Sequence, residues 1–286
     1  MKNENKNKME NQNKIKMENE NKDINEVDEN IDENIDEDID DTLNFIPLAD
    51  TIVTDKTVIV HFIRHAQAYH NIHPEFITEE EKLAHYMRSE FFDSSLTPMG
   101  LNQSLALLKE NLEIDVFLIS PMVRTIETAL PLIIDNPRPI FISENAREAI
   151  VRHNFPCNRR NSRTYISKIL NPLKVLTIGH IKNNDPFMDP NKIQSSEEFD
   201  KIIDNLLEDI YKLAYKFKRI VVVSHSMTIS TILNKFSYIH RDYIKNAEVV
   251  SMVLVHGPRT KKNDKWLDKN FEQLNRSFGI FEQINK

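Results

Sequence analysis

The sequence predicts an α/β fold with three layers, α/β/α, around a mostly parallel central sheet. Two observations support this prediction. Short runs of apolar and β-branched residues have the length of buried strands, and helix signals fall between these runs. Strands that alternate with helices along a chain pair in parallel, because each helix returns the chain to the same end of the sheet. The predicted strands cover 58–63, 114–119, 139–143, 219–224 and 248–256.

Capping residues mark where helices begin. Thr97 and Pro98 have the residue types of an N-cap and a first helical position, ahead of regularly spaced leucines. The sequence Ser-Ser-Glu-Glu at 195–198 is a capping box and predicts an amphipathic helix that continues to about Phe217. A third helix is expected to begin near Arg124, directly after the second predicted strand.

The acidic charge is concentrated at the N-terminus. The net charge is −7, but residues 1–41 alone carry −9 and the remainder carries +2. This segment has no apolar pattern that could offset the entropy cost of ordering it. We therefore expect a disordered, acidic, Asn-rich tail over 1–45 and a single α/β domain over 46–286. Within that domain, 149–195 shows no regular pattern.

Composition argues against several classes of protein. The chain has 4 glycines and neither a Gly-x-Gly-x-x-Gly nor a Gly-Lys-Ser/Thr motif, which argues against a dinucleotide fold and a P-loop. The single cysteine, Cys157, excludes an intrachain disulfide and a thiolate metal cluster. No apolar run approaches the ~20 residues of a membrane span, and no signal-peptide core is present. We therefore expect a soluble, cytoplasmic protein with no membrane partner. We also expect no nucleic-acid partner, since the net charge of +2 outside the tail is far from that of a strongly basic domain.

Charged and imidazole side chains follow the predicted strands where each strand ends. Arg64 and His65 follow the first strand, and Arg124 follows the second. Glu148 follows the third, and His225 follows the fourth. Because the carboxyl ends of parallel strands lie at one edge of the sheet, we expect these five side chains to meet there. Guanidinium groups beside the N–H groups of a helix start suit a phosphate group.

These segments resemble the motifs of the histidine phosphatase superfamily, the phosphoglycerate-mutase-like proteins, in both order and spacing. The resemblance covers about residues 57–256 and implies the phosphoglycerate-mutase-like fold. The segments that match are Arg64-His65, Ser-Pro-x-x-Arg-Thr at 120–125, Arg-Glu at 147–148 and Ser-His at 224–225.

The chain departs from the family pattern in three places. The usual glycine after Arg-His is Ala66, which the backbone accommodates if φ there is negative, and the acidic residue that often follows is Gln67. The Glu-Arg-His-Tyr-Gly pattern of true phosphoglycerate mutases is absent around Glu148. That absence argues against mutase activity, and the run Phe155-Pro-Cys-Asn-Arg-Arg160 resembles a segment of a phosphatase-type subgroup.

The resemblance implies a metal-independent phosphomonoester hydrolase that acts through a phosphohistidine intermediate and needs no cofactor. His65 would be the nucleophile, and Glu148 would protonate the leaving oxygen and then activate water. The substrate would be a small phosphorylated molecule or a phosphopeptide. The phosphoryl oxygens would be held by Arg64, Arg124, Asn71 and His225.

The segment 149–195 carries arginines close after Glu148. The resemblance implies that insertions at this position cover the pocket and choose the substrate. We therefore expect a lid in which Arg159 and Arg160 contact a second anionic group or an acidic peptide. The alternative is a solvated basic loop.

Two other functions would use the same residues. A phosphoglycerate-type phosphomutase would return the phosphoryl group to its substrate, and a catalytically silent module would only bind phosphate. Each residue alone also has an ordinary explanation, because a histidine at a strand end is commonly a hydrogen-bonded structural residue. The sequence leaves the substrate and the oligomeric state open.

Overall fold

The computed structural model describes residues 44–48, 57–72, 78–175, 177–179, 181–236 and 241–255. The acidic tail expected over 1–45 lies outside these residues, except that the first strand already begins at Asn44. The described residues include no helix that is long and apolar enough to cross a membrane.

Seven strands form one sheet. They are β1 (Asn44–Pro47), β2 (Val58–Arg64), β3 (Val116–Ile119), β4 (Ile140–Ile142), β5 (Thr177–Gly179), β6 (Arg219–Ser224) and β7 (Val249–Val255). Their spatial order is β1-β7-β2-β6-β3-β4-β5. Strands β2, β6, β3, β4 and β5 are parallel, while β7 is antiparallel to both β2 and β1. The mostly parallel sheet that the sequence predicts is thus confirmed.

Helices cover both faces of this sheet. They are α1 (Glu79–Tyr86), α2 (Pro98–Ala106), α3 (Val123–Asp135), α4 (Arg163–Leu170), α5 (Ser196–Ala214) and α6 (Ser226–Phe236). Along β6, Val222 packs into a core shared with α5 and α6, whereas Val221 and Val223 pack into a core shared with α3 and α4. Successive residues of a strand point to opposite faces, so the alternation confirms the three-layer prediction.

The capping signals act as the sequence predicts. The Thr97 hydroxyl accepts from the Gly100 N–H over 2.9 Å at the start of α2. Ser195 and Glu198 form the capping box of α5, which ends at Ala214, slightly before the predicted end. At Gly100, α2 approaches the loop after β2 so closely that a Cβ would lie 2.0 Å from the carbonyl oxygen of Gln67.

The segment 149–195 is more regular than the sequence suggests. It contains α4 and the short edge strand β5, and neither appears in the sequence prediction. Ser162 caps α4 by accepting from the Tyr165 N–H, and the helix buries only Ile166 and Leu170. Two buried residues in a short helix and a strand of three residues leave too little periodicity to be recognised.

Candidate active site

A cavity of about 560 Å³ lies at the carboxyl end of β2, where the predicted site residues converge. The parallel register places Arg64 beside Ser224 and Ile119 beside Val223, so the ends of β2, β6 and β3 are adjacent. The backbone N–H of His65 donates to the Ser224 carbonyl over 2.9 Å and extends this pairing. Five of the eight predicted site residues line the cavity, namely Arg64, His65, Asn71, Arg124 and Glu148.

His65 is held in one tautomer by its own backbone. Its Nδ1 lies 2.8 Å from the carbonyl oxygen of Ala66. A carbonyl oxygen only accepts, so Nδ1 carries the proton, and Nε2 of the neutral ring keeps its lone pair. Burial, followed by the positive charge of Arg124, holds the pKa of His65 well below its ordinary value of 6.5. The imidazole is therefore neutral and can act as a nucleophile through Nε2.

Ala66 occupies the family's usual glycine position without backbone strain. Among the described residues other than glycine, positive φ angles occur at Asp93, Asn111, Lys174 and Ala247, and Ala66 is outside this set. Its N–H donates to the Thr128 hydroxyl of α3 over 2.9 Å. The departure from glycine is accommodated as expected, and the same bond ties the His65 loop to α3.

Two arginines that line the cavity each have a guanidinium N–H group without an acceptor. Nη1 of Arg64 donates to the Ile244 carbonyl over 2.6 Å, and Nη1 of Arg124 donates to the Cys157 carbonyl over 2.7 Å. For the Nε of Arg64 and of Arg124, the described residues offer no acceptor within hydrogen-bond distance, although both atoms are buried. A buried cation with an unused donor is costly unless an anion binds it. The arrangement therefore suits a phosphoryl group.

The position of Arg124 depends on Asp93. One carboxylate oxygen of Asp93 accepts from the Val123 N–H at the start of α3 over 2.9 Å. The other accepts from the backbone N–H and the side-chain amide of Asn161, over 2.7 and 2.9 Å. Asp93 therefore fixes the first turn of α3, which carries Arg124, against the segment that precedes α4.

Glu148 lines the cavity together with these cations. Its Oε1 accepts from the Ala149 N–H over 3.1 Å. Burial raises the pKa of Glu148 and outweighs the opposing effects of that N–H and of Arg124 and Arg64. A carboxyl group with a raised pKa next to a phosphate site can supply a proton to a leaving oxygen.

His225 lies behind the cavity wall instead of lining it. Nη2 of Arg124 donates to His225 Nδ1 over 3.1 Å, so the proton of the neutral ring is on Nε2, which lies 2.9 Å from the Ser120 hydroxyl. The centroids of the His65 and His225 rings are 5.2 Å apart. Burial, followed by the charge of Arg124, lowers the pKa of His225 well below 6.5. In this arrangement His225 orients Arg124, and the cavity gives no support to its expected contact with a phosphoryl oxygen.

Asn71 lines the cavity, and its side chain also closes the turn in which it lies. Its Oδ1 accepts from the Ala68 N–H over 3.0 Å. The amide nitrogen is the group through which Asn71 could donate to a phosphoryl oxygen.

The two lid arginines do not line the cavity. Arg160 is 0% exposed, and its Nε donates to Glu144 over 2.9 Å while its Nη2 donates to the Lys182 carbonyl over 2.8 Å. Arg159 is half-buried and donates to the Asn154 carbonyl over 3.4 Å. The expected substrate contact is wrong for Arg160, because its charge is already neutralised inside the domain. Arg159 does not line the cavity either, so the cavity gives no support to a substrate contact at Arg159.

A buried ion-pair network lies next to Glu148 in the chain. Arg147 donates to both carboxylate oxygens of Asp185, over 2.6 and 3.3 Å, and to Glu144 over 3.0 Å. Asp185 also accepts from the backbone N–H of Arg160 over 2.7 Å. The network fixes the backbone that carries Glu148, so the arginines of this segment shape the site without entering it.

Sequence reasoning missed several residues that line the cavity. His70 is buried, its ring lies 5.8 Å from that of His65, and its Nδ1 lies 2.6 Å from the Ser94 hydroxyl. His70 could have been noticed, because it directly precedes Asn71 in the loop after the first strand. Tyr86 and Phe155 carry no such signal, because long-range packing brings them to the cavity.

The comparisons with known proteins agree with the motifs that meet in this cavity. A phosphoglycerate mutase-like protein of Arabidopsis thaliana is 28% identical over 241 residues, which cover 68% of this chain and 84% of that protein. Phosphoglycerate mutase-like protein 1 of the same plant is 26% identical over 251 residues, covering 68% and 80%. No family model matches the chain.

Solved structures with a similar fold include two phosphatases. The alpha-ribazole phosphatase from Shigella flexneri has a TM-score of 0.45 and 14% identity, covering 70% of this chain and 95% of its own. The phosphoserine phosphatase from Entamoeba histolytica, in complex with 3-phosphoglyceric acid, has a TM-score of 0.41 and 20% identity, covering 71% and 98%. The sequence relatives are thus phosphoglycerate mutase-like proteins, and the motifs gathered at the sheet edge resemble those of the histidine phosphatase superfamily.

Proposed function

We propose that this protein is a metal-independent phosphomonoester hydrolase that acts through a phosphohistidine on His65. One observation carries the proposal: a neutral imidazole with a free Nε2 lines the same cavity as two guanidinium groups with unused donors. A nucleophile and cations for three equatorial oxygens are the parts that phosphoryl transfer needs, together with an acid for the leaving oxygen.

In the first half-reaction, Nε2 of His65 attacks phosphorus and the bond to the leaving oxygen breaks. Burial raises the pKa of Glu148, which favours its protonated form, and Glu148 gives its proton to that oxygen, so the product leaves as an alcohol. Arg64 and Arg124 turn their free Nε–H groups to the phosphoryl oxygens and stabilise the charge that spreads over them.

In the second half-reaction, the Glu148 carboxylate removes a proton from water, and the resulting hydroxide attacks phosphorus. The P–N bond breaks, the electron pair returns to Nε2 of His65, and inorganic phosphate leaves. Glu148 ends protonated, so the site returns to its initial state. The hydrogen bond to Ala66 keeps the His65 ring in one orientation through both steps.

His225 and Asn71 are proposed to have different roles in the site. His225 is a positioning residue, because it touches Arg124 and not the cavity. Asn71 is proposed to donate its side-chain amide to a phosphoryl oxygen. The substrate is proposed to be a phosphorylated small molecule that fits the cavity.

The test is hydrolysis of a generic aryl phosphate with EDTA present, across pH 5 to 8. We expect turnover in the wild-type protein, loss of turnover in His65→Ala, and an acid-labile phosphoryl group trapped on the wild-type chain alone. A matched control is His61→Gln, since His61 lies on the same strand but bonds Ser251 over 2.7 Å outside the cavity. Turnover that needs a metal ion, or that survives in His65→Ala, would contradict the mechanism. Absence of turnover in the wild type would favour the mutase or the silent module.

A further inference from the structure

Three neighbouring rings line one part of the cavity. The ring of Phe155 has its centroid 5.3 Å from that of Tyr86 and 5.4 Å from that of His153. All three residues line the cavity, and we call them the aromatic wall. Tyr86 comes from the last turn of α1, so two separate parts of the chain build this surface.

The cavity is larger than a phosphoryl group requires. Its volume of about 560 Å³ lies within the range of ~300–1,000 Å³ in which proteins hold small organic ligands. A phosphoryl group bound by Arg64 and Arg124 would fill only part of this volume. The remaining space is therefore available to the group from which phosphate is removed.

Several apolar side chains line the cavity. Val151, Ala149 and Met227 do so together with the aromatic wall. Arg152 and Asp242 also line it and carry opposite charges, so they supply no excess of positive charge for a second anion. Burial raises the pKa of Tyr86, so its phenol stays neutral as well. These side chains suit an uncharged ring better than an acyclic acid.

We propose that the leaving group of the substrate carries an aromatic ring, which packs against Phe155 between Tyr86 and His153. This inference rests on the proposed function, because it assigns the substrate class of the same cavity. Aromatic pairs prefer tilted or offset arrangements with centroids ~4.5–7 Å apart, and the wall already has this geometry. A ring entering the cavity would extend an existing set of contacts.

Two phosphonates of equal charge and similar size test the ring preference without any turnover. Benzylphosphonate and cyclohexylmethylphosphonate differ only in whether the ring is aromatic. We expect calorimetry on the wild-type protein to give a Kd about 10-fold lower for benzylphosphonate, the size of effect that a ring contact supplies. Phe155→Leu should bind both compounds and abolish the difference. Equal Kd values in the wild type, or a preference that survives in Phe155→Leu, would overturn the inference.

Controls separate the wall from folding and from catalysis. Tyr165→Leu changes an exposed ring outside this cavity and should keep the preference. Tyr86→Leu tests the wall from a different element if Phe155→Leu does not fold, and it should also reduce the preference. Ring preference without hydrolysis of any phosphate would contradict the proposed function alone. Hydrolysis without ring preference would contradict this inference alone, and failure of both phosphonates to bind would contradict both.

Discussion

Nη2 of Arg124 donates to Nδ1 of His225 over 3.1 Å, and this contact joins the start of α3 to the end of β6. The two side chains are almost fully buried, with exposed fractions of 1% and 0%. Since Arg124 also bonds the Cys157 carbonyl, its guanidinium is fixed from two sides before any substrate binds. A donor fixed in advance stabilises developing charge without reorganising during the reaction.

We expect His225→Ala to lower kcat for an aryl phosphate by ~10²–10³, the usual effect of losing one preorganised donor. The cause is loss of the acceptor that orients Arg124. Ser120→Ala removes only the partner of the other ring nitrogen and should have a smaller effect. Steady-state kinetics would show this, and an unchanged kcat in a folded His225→Ala protein would contradict the positioning role.

Glu148→Gln should affect alkyl and aryl substrates differently. An alkoxide needs a proton to leave, so kcat for an alkyl phosphate should fall by ~10²–10⁴, whereas a nitrophenyl phosphate should lose much less. With the wild type, kcat/KM for the alkyl substrate should fall as pH rises through the raised pKa of Glu148. Below pH 6.5 the activity should persist, because the lowered pKa of His65 keeps the nucleophile neutral. In Glu148→Gln, kcat/KM should not fall as pH rises. A fall of the same shape in this variant would show that another group causes it.

Arg160→Met should reduce stability and leave KM unchanged. It removes one side of a buried ion pair with Glu144, and breaking such a pair costs ~3–5 kcal/mol. Arg159→Met, at the adjacent half-buried position, should cost far less. Urea unfolding and KM would be measured on both variants. If Arg160→Met raised KM and left stability unchanged, the result would support a substrate contact by Arg160 and contradict this prediction.

Gly100→Ala should destabilise the domain although alanine is the better helix former. A Cβ at this position would lie 2.0 Å from the Gln67 carbonyl oxygen, so either α2 or the loop after β2 must shift. Overpacking of this kind costs ~1–3 kcal/mol. Asn102→Ala on the exposed part of α2 is the matched control and should be neutral. Equal urea midpoints for the two variants would show that the loop yields without cost.

His61 should make the protein less stable in acid. Its pKa in the folded state is lowered to about 4 by burial, below the unfolded value of 6.5. The folded state therefore binds fewer protons, and this contribution is complete above pH 6.5 and is lost as pH falls towards 4. The loss amounts to ~3 kcal/mol for this residue. His61→Gln should lose less stability than the wild type between pH 7 and 4, and identical pH dependence in urea unfolding would contradict the assignment.

The sequence predicted the parts of this molecule that depend on local pattern. Continuous apolar runs marked β2 and β6, and the parallel arrangement then required Arg64 and His65 to meet the residues that follow β6. Glu148 follows β4 closely and lines the same cavity. Strand β5 was missed because three residues carry no periodicity.

What could not be predicted depends on where loop side chains point. The positive charge of Arg160 suggested a surface contact, yet its ion pair with Glu144, 16 residues earlier in the chain, lies in the interior. Tyr86 reaches the cavity only because α1 ends there, and α1 buries no residue that could mark its position in the sequence. Such contacts are set by tertiary packing, which single-sequence patterns do not record.

The hydrogen bond from the His65 N–H to the Ser224 carbonyl has a consequence for biosynthesis. The two residues that it joins are far apart in the chain, and β6 lies between β2 and β3 in the sheet. A nascent chain that has not yet released residue 225 from the ribosome lacks the central strand and the partner of Arg124. The growing polypeptide therefore has no complete site until residue 225 has left the ribosome. The cavity forms only after β6 has joined the sheet.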